Sequence, residues 1–243
     1  MELRGKVAVV TGGAVRLGKS LALALADAGC DVAVHYNRSE RAAEETAAEI
    51  RERGVRAVTV RADFASPREA AETIFEQTIG ELGAVSVLVN SAAIFEEGTL
   101  QDTTDDQWDR HFSINLKAPA ALCREYCRQR VANEPGHIVN IVDWRATRPA
   151  TGHLAYTLSK SGLVALTQIL AQELAPHVQV NAIAAGAILP AANSEIGLFD
   201  RLAEQIPLRR TGQPTDVADA LLFLLRADFL TGEVLHVTGG RQL

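Results

Sequence analysis

Cysteine is scarce in this sequence, and the three cysteines that it has form no recognisable metal site. Cys30, Cys123 and Cys127 make no CxxC pair and no histidine-paired pattern, so we expect no bound metal. Cys123 and Cys127 would share one face of a helix, where a buried thiol pair is a simpler interpretation than half a metal site. An odd number of cysteines without a signal peptide is typical of a protein of the reducing cytoplasm.

Long apolar runs and an excess of basic charge are also absent. No apolar run approaches the roughly 18 residues of a membrane-spanning helix, so we expect no membrane segment. The net charge is −6 with acids and bases interspersed, which favours a small molecule over nucleic acid as the partner. Linkers and low-complexity tracts are missing too, so residues 1–243 are expected to form one domain.

Short β-branched runs alternate with longer amphipathic segments along the chain. Seven runs predict strands: KVAVVT, DVAVHY, AVTVRA, VSVLVN, HIVNIV, VQVNAI and EVLHVT. Their nearly continuous hydrophobicity is typical of parallel strands that helices cover on both faces. Helical periodicity runs from Leu17 to Gly29 and over residues 40–53, 67–82, 104–130, 155–175 and 215–226. The pattern predicts an α/β fold, a Rossmann-type doubly wound parallel sheet of about seven strands.

One segment, residues 186–206, fits neither pattern. It reads GAILPAANSEIGLFDRLAEQI, is rich in small residues and follows the sixth predicted strand. We expect it to form a mobile flap with a short helix over the functional site.

A glycine-rich loop, TGGAVRLG at residues 11–18, follows the first strand and precedes a helix. Gly12 and Gly18 allow the backbone to approach a pyrophosphate closely, and the helix N-terminus offers unpaired N–H groups to it. Arg16 lies inside the loop, where its guanidinium would reach a phosphate or a substrate; a solvated loop arginine is the alternative. The loop predicts a dinucleotide cofactor, so the single domain would combine cofactor binding with catalysis.

No acidic residue ends the second strand to bind the ribose hydroxyls of NAD. The segment there is HYNRS, in which Arg38 and Ser39 offer a cation and a hydroxyl to a 2′-phosphate, so NADPH is favoured over NADH. His35 is either a phosphate contact or a hydrogen-bonded strand-end histidine. Asp63, after the third strand, either accepts a hydrogen bond from the adenine amino group or caps the next helix.

The run VDWRATRPATGHLAYTLSK contains Asp143, Tyr156 and Lys160. Tyr156 and Lys160 are four residues apart, so on a helix both project from one face and the ammonium can lie beneath the phenol. A nearby cation favours the phenolate and is expected to lower the tyrosine pKa toward the working pH. The spacing is typical of a hydride-transfer active site, in which Asp143 is an unusual member.

Over its whole length the sequence resembles the short-chain dehydrogenase/reductase family. The matching segments are TGGAVRLG, VNSAAIF, Asn115, YTLSK, VNAIAAGAI and TGGR. Three details are similar to the pteridine reductases and dihydromonapterin reductases within it. These are Arg16 in the glycine loop, the HYNRS segment, and Asp143 in place of the usual catalytic serine, thirteen residues before Tyr156.

The resemblance implies a role for each matching residue. Tyr156 would deliver a proton, Lys160 would bind the nicotinamide ribose, and Asn115 would hold the active-site helix and a proton-relay water. Phe95 aligns with the aromatic residue that stacks a pterin against the nicotinamide, although ordinary loop packing is the alternative. Arg16 would contact both the substrate and a cofactor phosphate, and the family resemblance also suggests a homotetramer.

The implied sets of binding residues follow the carboxyl ends of the strands. Cofactor binding is expected of Thr11, Gly12, Arg16, Leu17, Gly18, His35, Tyr36, Asn37, Arg38, Ser39, Asp63, Phe64, Asn90, Ser91, Ala92, Tyr156, Lys160, Gly186 and Ile188. Substrate binding is expected of Arg16, Phe95, Asp143 and Tyr156.

Asp143 also bears on the substrate. An ionised aspartate beside a developing alkoxide raises the barrier to carbonyl reduction. In a dihydropterin the acceptor is a C=N bond whose nitrogen becomes more basic as hydride adds. Asp143 would either accept hydrogen bonds from the pterin 2-amino and N3–H groups or relay a proton with Tyr156.

The sequence therefore favours an NADPH-dependent reductase of dihydrobiopterin, dihydromonapterin or dihydrofolate. A carbonyl reductase such as a 3-oxoacyl thioester reductase is the first alternative, and in it Asp143 would be drift from serine. A non-catalytic NADPH-binding sensor is the second alternative, although a sensor has no need of a proton donor such as Tyr156.

Overall fold

A computed structural model of the chain describes residues 1–190 and 197–243. The seven predicted strands are present and form one sheet in the order β3-β2-β1-β4-β5-β6-β7, with every pair parallel. They are β1 Val7–Val10, β2 Asp31–Tyr36, β3 Ala57–Arg61, β4 Val85–Asn90, β5 Gly136–Asp143, β6 Val178–Ala185 and β7 Val234–Val237.

Helices connect the strands and cover both faces of the sheet. They are α1 Arg16–Asp27, α2 Glu40–Arg51, α3 Pro67–Leu82, α4 Asp105–Phe112, α5 Ala118–Gln129, α6 Leu154–Glu173, α7 Leu198–Gln205 and α8 Pro214–Arg226. One buried cluster joins α1, α2 and α8 to the sheet, and a second joins α3 and α5 to the other face. The five inner strands are therefore buried on both sides, which explains their unbroken hydrophobicity, whereas the edge strands β3 and β7 are largely half-buried.

The helix expected over residues 104–130 is interrupted. A π-helical segment, Ser113–Lys117, separates α4 from α5 and contains the buried Asn115. One inserted residue shifts the helical phase by about 100°, a break that a single repeat spread over all of residues 104–130 averages out. Such segments are frequent at functional sites.

The sheet order reverses direction at β1 and β4. In doubly wound sheets, ligands bind outside the carboxyl ends of the strands at this switch point. The glycine loop after β1 and the segment after β4 meet there, since the Thr11 N–H donates to the carbonyl of Val89. The fold thus brings the predicted cofactor and catalytic segments to one edge.

The predicted flap, residues 186–206, lies only partly within the described chain. Residues 191–196 fall outside it, and α7 lies in the remainder. The expected position of this flap over the site stays a prediction. None of the described helices combines the length and the apolarity that crossing a membrane requires.

Candidate active site

The glycine loop is built so tightly that two of its glycines have no room for a side chain. A Cβ on Gly18 would lie 2.1 Å from the carbonyl oxygen of Gly12, and a Cβ on Gly12 would lie 3.0 Å from Cα of Ala92. Gly12 also has a φ of +64°, which L side chains rarely adopt. Because the loop leads straight into α1, it forms an anion-binding helix N-terminus that fits a pyrophosphate.

His35 supports this loop through a hydrogen bond to its backbone and does not face a phosphate. Its Nδ1 accepts a hydrogen bond of 3.1 Å from the Gly12 N–H, and its Nε2 lies 3.2 Å from the Ala62 carbonyl oxygen. The ring stacks on Phe64 at 4.5 Å, and burial lowers the His35 pKa to about 4. A neutral ring with both nitrogens occupied attracts no phosphate, so the structure favours the hydrogen-bonded strand-end histidine.

The end of β2 suits a 2′-phosphate. Arg38 and Ser39 are exposed, and within residues 1–190 and 197–243 no ion pair engages Arg38. Ser39 occupies the N-cap position of α2 but makes no capping hydrogen bond, which leaves its hydroxyl available. A free guanidinium, a free hydroxyl and a helix N-terminus together form a site for a dianion.

Asp63 does not have one of its two expected roles, that of capping the next helix. The N-cap position of α3 is occupied by Ser66, so Asp63 does not cap the helix. Its Oδ1 instead accepts a hydrogen bond of 2.9 Å from the Ala65 N–H, and the side chain is exposed. An exposed, oriented carboxylate remains compatible with an adenine amino group.

Thr11 joins the segments after β1 and β4. Its Oγ1 accepts hydrogen bonds from the N–H groups of Ser91 and Ala92 at 2.9 and 3.0 Å. Asn90 is buried and donates to Asn140 Oδ1 at 2.8 Å, so its role is structural. The structure thus brings Thr11, Ser91 and Ala92 together, as predicted. Ser91 and Ala92 are held through their backbone N–H groups.

Several of the predicted cofactor residues have side chains that pack in the core. Those of Tyr36, Phe64 and Ile188 are buried, and Leu17 packs partly against the same apolar cluster as Tyr36 and Ile188. Only their backbone atoms are therefore positioned to contact a cofactor. Asn37 is half-buried between Tyr36 and the exposed Arg38.

Gly186 closes the opposite side of the site. Its N–H donates to the Val237 carbonyl, and a Cβ there would lie 2.8 Å from Cα of Thr238. Arg16, with a φ of +54°, donates across the site to the carbonyl of Pro190. Arg16 is exposed, and its guanidinium has this partner in the segment after β6.

Asn115 ties the segment after β4 to the active-site helix. Its amide donates to the carbonyl of Ile94 at 3.0 Å and to Ser159 Oγ at 3.1 Å, and its Oδ1 accepts from the Ile94 N–H at 3.0 Å. The expected hold on the active-site helix is therefore present through Ser159.

Asp143, Tyr156 and Lys160 meet at the carboxyl end of β5. The Tyr156 hydroxyl lies 3.4 Å from Asp143 Oδ2, a long hydrogen bond. Lys160 Nζ donates to the carbonyl of Ile141 at 2.8 Å, and both Tyr156 and Lys160 are buried. An ammonium with three donors keeps two for other partners after this bond.

The expectation that Lys160 lowers the Tyr156 pKa is wrong for this structure. Burial and, next, the charge of Asp143 raise the Tyr156 pKa well above its ordinary value, and the cation that opposes them is Arg145. Burial lowers the Lys160 pKa to about 8, against the opposing effect of Asp143. Tyr156 is therefore a firmly protonated hydroxyl.

Arg145 is the principal residue that sequence reasoning missed. Asp143 Oδ1 accepts its backbone N–H at 2.8 Å and its guanidinium at 3.3 Å, which leaves Oδ2 for Tyr156. The same guanidinium lies 5.8 Å from the Phe95 ring centroid. A basic residue two positions after the aspartate was the only available signal, and it matches no general pattern.

Phe95 lines the space in front of Tyr156. Its ring stacks on His153 at 4.2 Å and meets Tyr156 edge-on at 4.7 Å, and the residue is 44% exposed. The contacts show loop packing, while the exposure leaves surface for an aromatic ligand. His153, which sequence reasoning also missed, fixes the orientation of this ring.

Comparisons with known proteins agree with the fold. Residues 13–242 match the family model described as "Enoyl-(Acyl carrier protein) reductase". A 3-oxoacyl-[acyl-carrier-protein] reductase FabG of Staphylococcus epidermidis is 35% identical over 98% of this chain and 99% of its own. The structure of FolM Alternative dihydrofolate reductase 1 from Brucella canis, complexed with NADP, has a TM-score of 0.94 at 32% identity. That alignment covers 99% of this chain and 95% of that one.

The structure of a short-chain dehydrogenase from Burkholderia cenocepacia in complex with NADP has a TM-score of 0.93 at 32% identity. That alignment covers 100% of each chain. The chain belongs to the short-chain dehydrogenase/reductase family. It is an NADP-dependent oxidoreductase, and the free Arg38 and the tight glycine loop fit that cofactor.

Proposed function

We propose that the protein reduces the C=N bond of a dihydropterin, namely dihydrobiopterin, dihydromonapterin or dihydrofolate. The observation that carries this proposal is the Asp143 carboxylate, which faces the Tyr156 hydroxyl where the family usually has a serine. Negative charge at this place opposes an alkoxide and favours a nitrogen that gains a proton. The likeness to FolM of Brucella canis, an alternative dihydrofolate reductase, supports the same substrate class.

Of the two roles expected for Asp143, the geometry favours the proton relay. Two donors of Arg145 already occupy Oδ1, and Oδ2 faces Tyr156. Accepting both the 2-amino and N3–H groups of a pterin side by side would need both oxygens free. One occupied oxygen therefore counts against that pairing.

In the proposed reaction, NADPH held by the glycine loop and Arg38 would supply a hydride to the substrate carbon. Tyr156 donates its hydroxyl proton to the substrate nitrogen, and its raised pKa keeps that proton in place until the nitrogen becomes basic. A proton from solvent then returns to the phenolate through Oδ2 of Asp143, which takes it up and passes it on, so that Tyr156 and Asp143 end the cycle as they began. Lys160, which keeps two donors after its bond to the Ile141 carbonyl, would bind the ribose of the cofactor, and Phe95 would offer its exposed surface to the pterin ring.

A 3-oxoacyl thioester reductase is the second candidate, favoured by the 35% identity to FabG over nearly the whole chain. It requires a hydroxyl donor beside Tyr156, a place that Asp143 occupies here. A non-catalytic NADPH sensor is the third candidate. Oxidation of NADPH with any of the substrates would exclude it, because a sensor binds the cofactor without turnover.

The test follows NADPH absorbance with the three dihydropterins and with acetoacetyl thioester in parallel. We expect turnover of a dihydropterin that falls about 100-fold in Asp143→Asn and Asp143→Ser, since positioned proton transfer contributes roughly that much. Asp219→Asn, at an exposed position of α8, is the matched control. Turnover of the thioester alone, or a gain in Asp143→Ser, would overturn the proposal in favour of carbonyl reduction.

We also propose a homotetramer, built on the apolar faces of residues 104–130 and 155–175 and on the C-terminal segment. Trp108 and Ile169 are exposed on these faces, and Phe229 is almost fully exposed. Exposed aromatic and aliphatic groups of this size favour association. Light scattering after size-exclusion chromatography tests the state, and a monomer of 26.1 kDa would contradict it.

A further inference from the structure

Two guanidinium groups contact one indole ring at the edge of the candidate site. The guanidinium carbons of Arg145 and Arg241 lie 4.8 and 5.0 Å from the Trp144 ring centroid. Arg145 belongs to the short 3₁₀ turn Trp144–Ala146 after β5, and Arg241 belongs to the segment after β7. The two cations therefore come from distant parts of the chain to one place.

This cluster carries more positive than negative charge. Asp143 is the acid that pairs with Arg145, at 3.3 Å, and their side chains are only 16% and 18% exposed. Among the described residues, Arg241 makes no salt bridge and no side-chain hydrogen bond, and Nε of Arg145 is buried without a partner. One carboxylate thus faces two half-buried guanidinium groups.

The electrostatics favour an anion beside Arg241. Burial and the charge of Arg145 lower the Arg241 pKa, while Asp143 acts in the opposite direction. A half-buried guanidinium that is repelled by its neighbour gains from an anion that contacts it.

Hydrogen bonds fix the cluster beside the catalytic residues. Arg148 donates to the carbonyl of Gln242, and Thr147 Oγ1 lies 2.9 Å from His236 Nε2, so the turn after β5 is tied to the C-terminal segment. Arg145 also lies beside Phe95, whose exposed surface faces the space in front of Tyr156. A side chain leaving a bound ring system would pass this cluster.

We propose that Arg241 and Arg145, held on Trp144, form a subsite for an anionic group on the side chain of the substrate, a carboxylate or a phosphate. The planar fork of a guanidinium binds either anion through two parallel hydrogen bonds. This subsite rests on the proposed function and narrows it, because it selects dihydropterins with an anionic side chain over neutral ones.

The experiment measures KM and kcat for three dihydropterins: dihydrofolate with its carboxylates, a dihydropterin with a phosphorylated side chain, and neutral dihydrobiopterin. Arg241 is changed to Gln and to Lys, since Arg145 also holds Asp143. Arg226→Gln, exposed at the last residue of α8, is the matched loss of charge. NADPH binding, followed by fluorescence, reports whether each variant keeps its fold.

We expect Arg241→Gln to raise KM for at least one anionic substrate about tenfold, the factor of one charge-assisted pair, and to leave KM for dihydrobiopterin unchanged. Arg241→Lys restores most of the loss, and the carboxylate and phosphate arms identify the anion. An equal change for all three substrates, or no change, overturns the subsite while the dihydropterin reductase remains. Absence of turnover with every dihydropterin in the unaltered protein instead overturns the proposed function.

Discussion

The hydroxyl of Tyr156 lies 3.4 Å from Oδ2 of Asp143, and both side chains project into the space that Phe95 borders. Two negative groups would result if Tyr156 lost its proton, which is why the charge of Asp143 raises the Tyr156 pKa. The arrangement suits a proton donor that acts only when its acceptor has become basic. The orientation of Asp143 depends on Arg145, which donates two hydrogen bonds to its other oxygen, Oδ1.

Replacing Arg145 by Gln is expected to move the pH dependence of the reaction. The Arg145 charge lowers the Tyr156 pKa against burial and Asp143, so its loss raises that pKa further. Tyr156 acts in its protonated form, so its own alkaline limb of the kcat profile, which lies above the limb that Lys160 sets near pH 8, shifts to higher pH, and kcat falls because Oδ1 loses a donor. Profiles of the Gln and Lys variants measure this, and Lys should restore the limb. A limb unmoved in Arg145→Gln would contradict the role of Arg145.

Local sequence patterns were sufficient for the sheet, the glycine loop and the choice of NADP. These features depend on spacing within one segment: β-branched runs, two glycines before a helix, and Arg38 at a strand end. The role of Lys160 was predicted less well, because helical spacing shows that it lies below Tyr156 but not that the Ile141 carbonyl holds its ammonium. Arg145 escaped notice because its importance arises only from the turn that follows β5.

Arg38 is expected to select NADPH over NADH. Arg38→Gln removes the cation at the end of β2 that would face a 2′-phosphate, so KM for NADPH should rise roughly tenfold to a hundredfold while KM for NADH changes little. Arg68→Gln is the matched control, because its side chain is 74% exposed and forms a salt bridge with Glu72 along α3, away from the end of β2. Steady-state kinetics with both cofactors decide the matter. Parallel losses for NADPH and NADH would show that Arg38 does not read the phosphate.

Gly18→Ala is expected to abolish NADPH binding. The added Cβ would lie 2.1 Å from the carbonyl oxygen of Gly12, a backbone atom, so the loop must open. Gly80→Ala is the control, because nothing lies within 4 Å of a Cβ at that position in α3. Removing an interior helical glycine should stabilise the protein by about 0.5–1 kcal/mol. Fluorescence titration with NADPH and thermal unfolding test both variants; tight binding by Gly18→Ala would mean that the loop tolerates the shift.

Acid should destabilise the protein through His35 before its carboxylates titrate. Burial lowers the pKa of His35 from 6.5 to about 4, so between those values the unfolded chain binds the proton and the folded one does not. Stability is therefore fully present above pH 6.5 and is lost as the pH falls toward 4, with about 2 kcal/mol gone at pH 5.

His137 has a similarly lowered pKa of about 4 and should contribute a comparable loss. The test therefore compares His35→Gln with the unaltered protein. Urea unfolding at pH 7.5 and at pH 5 measures the free energy of unfolding of each. The variant is less stable at pH 7.5, because the glycine loop loses its support at Nδ1, but it should lose only about half as much stability on acidification. If the two proteins lose the same amount, His35 is already protonated in the fold, and the Gly12 N–H cannot be donating to it.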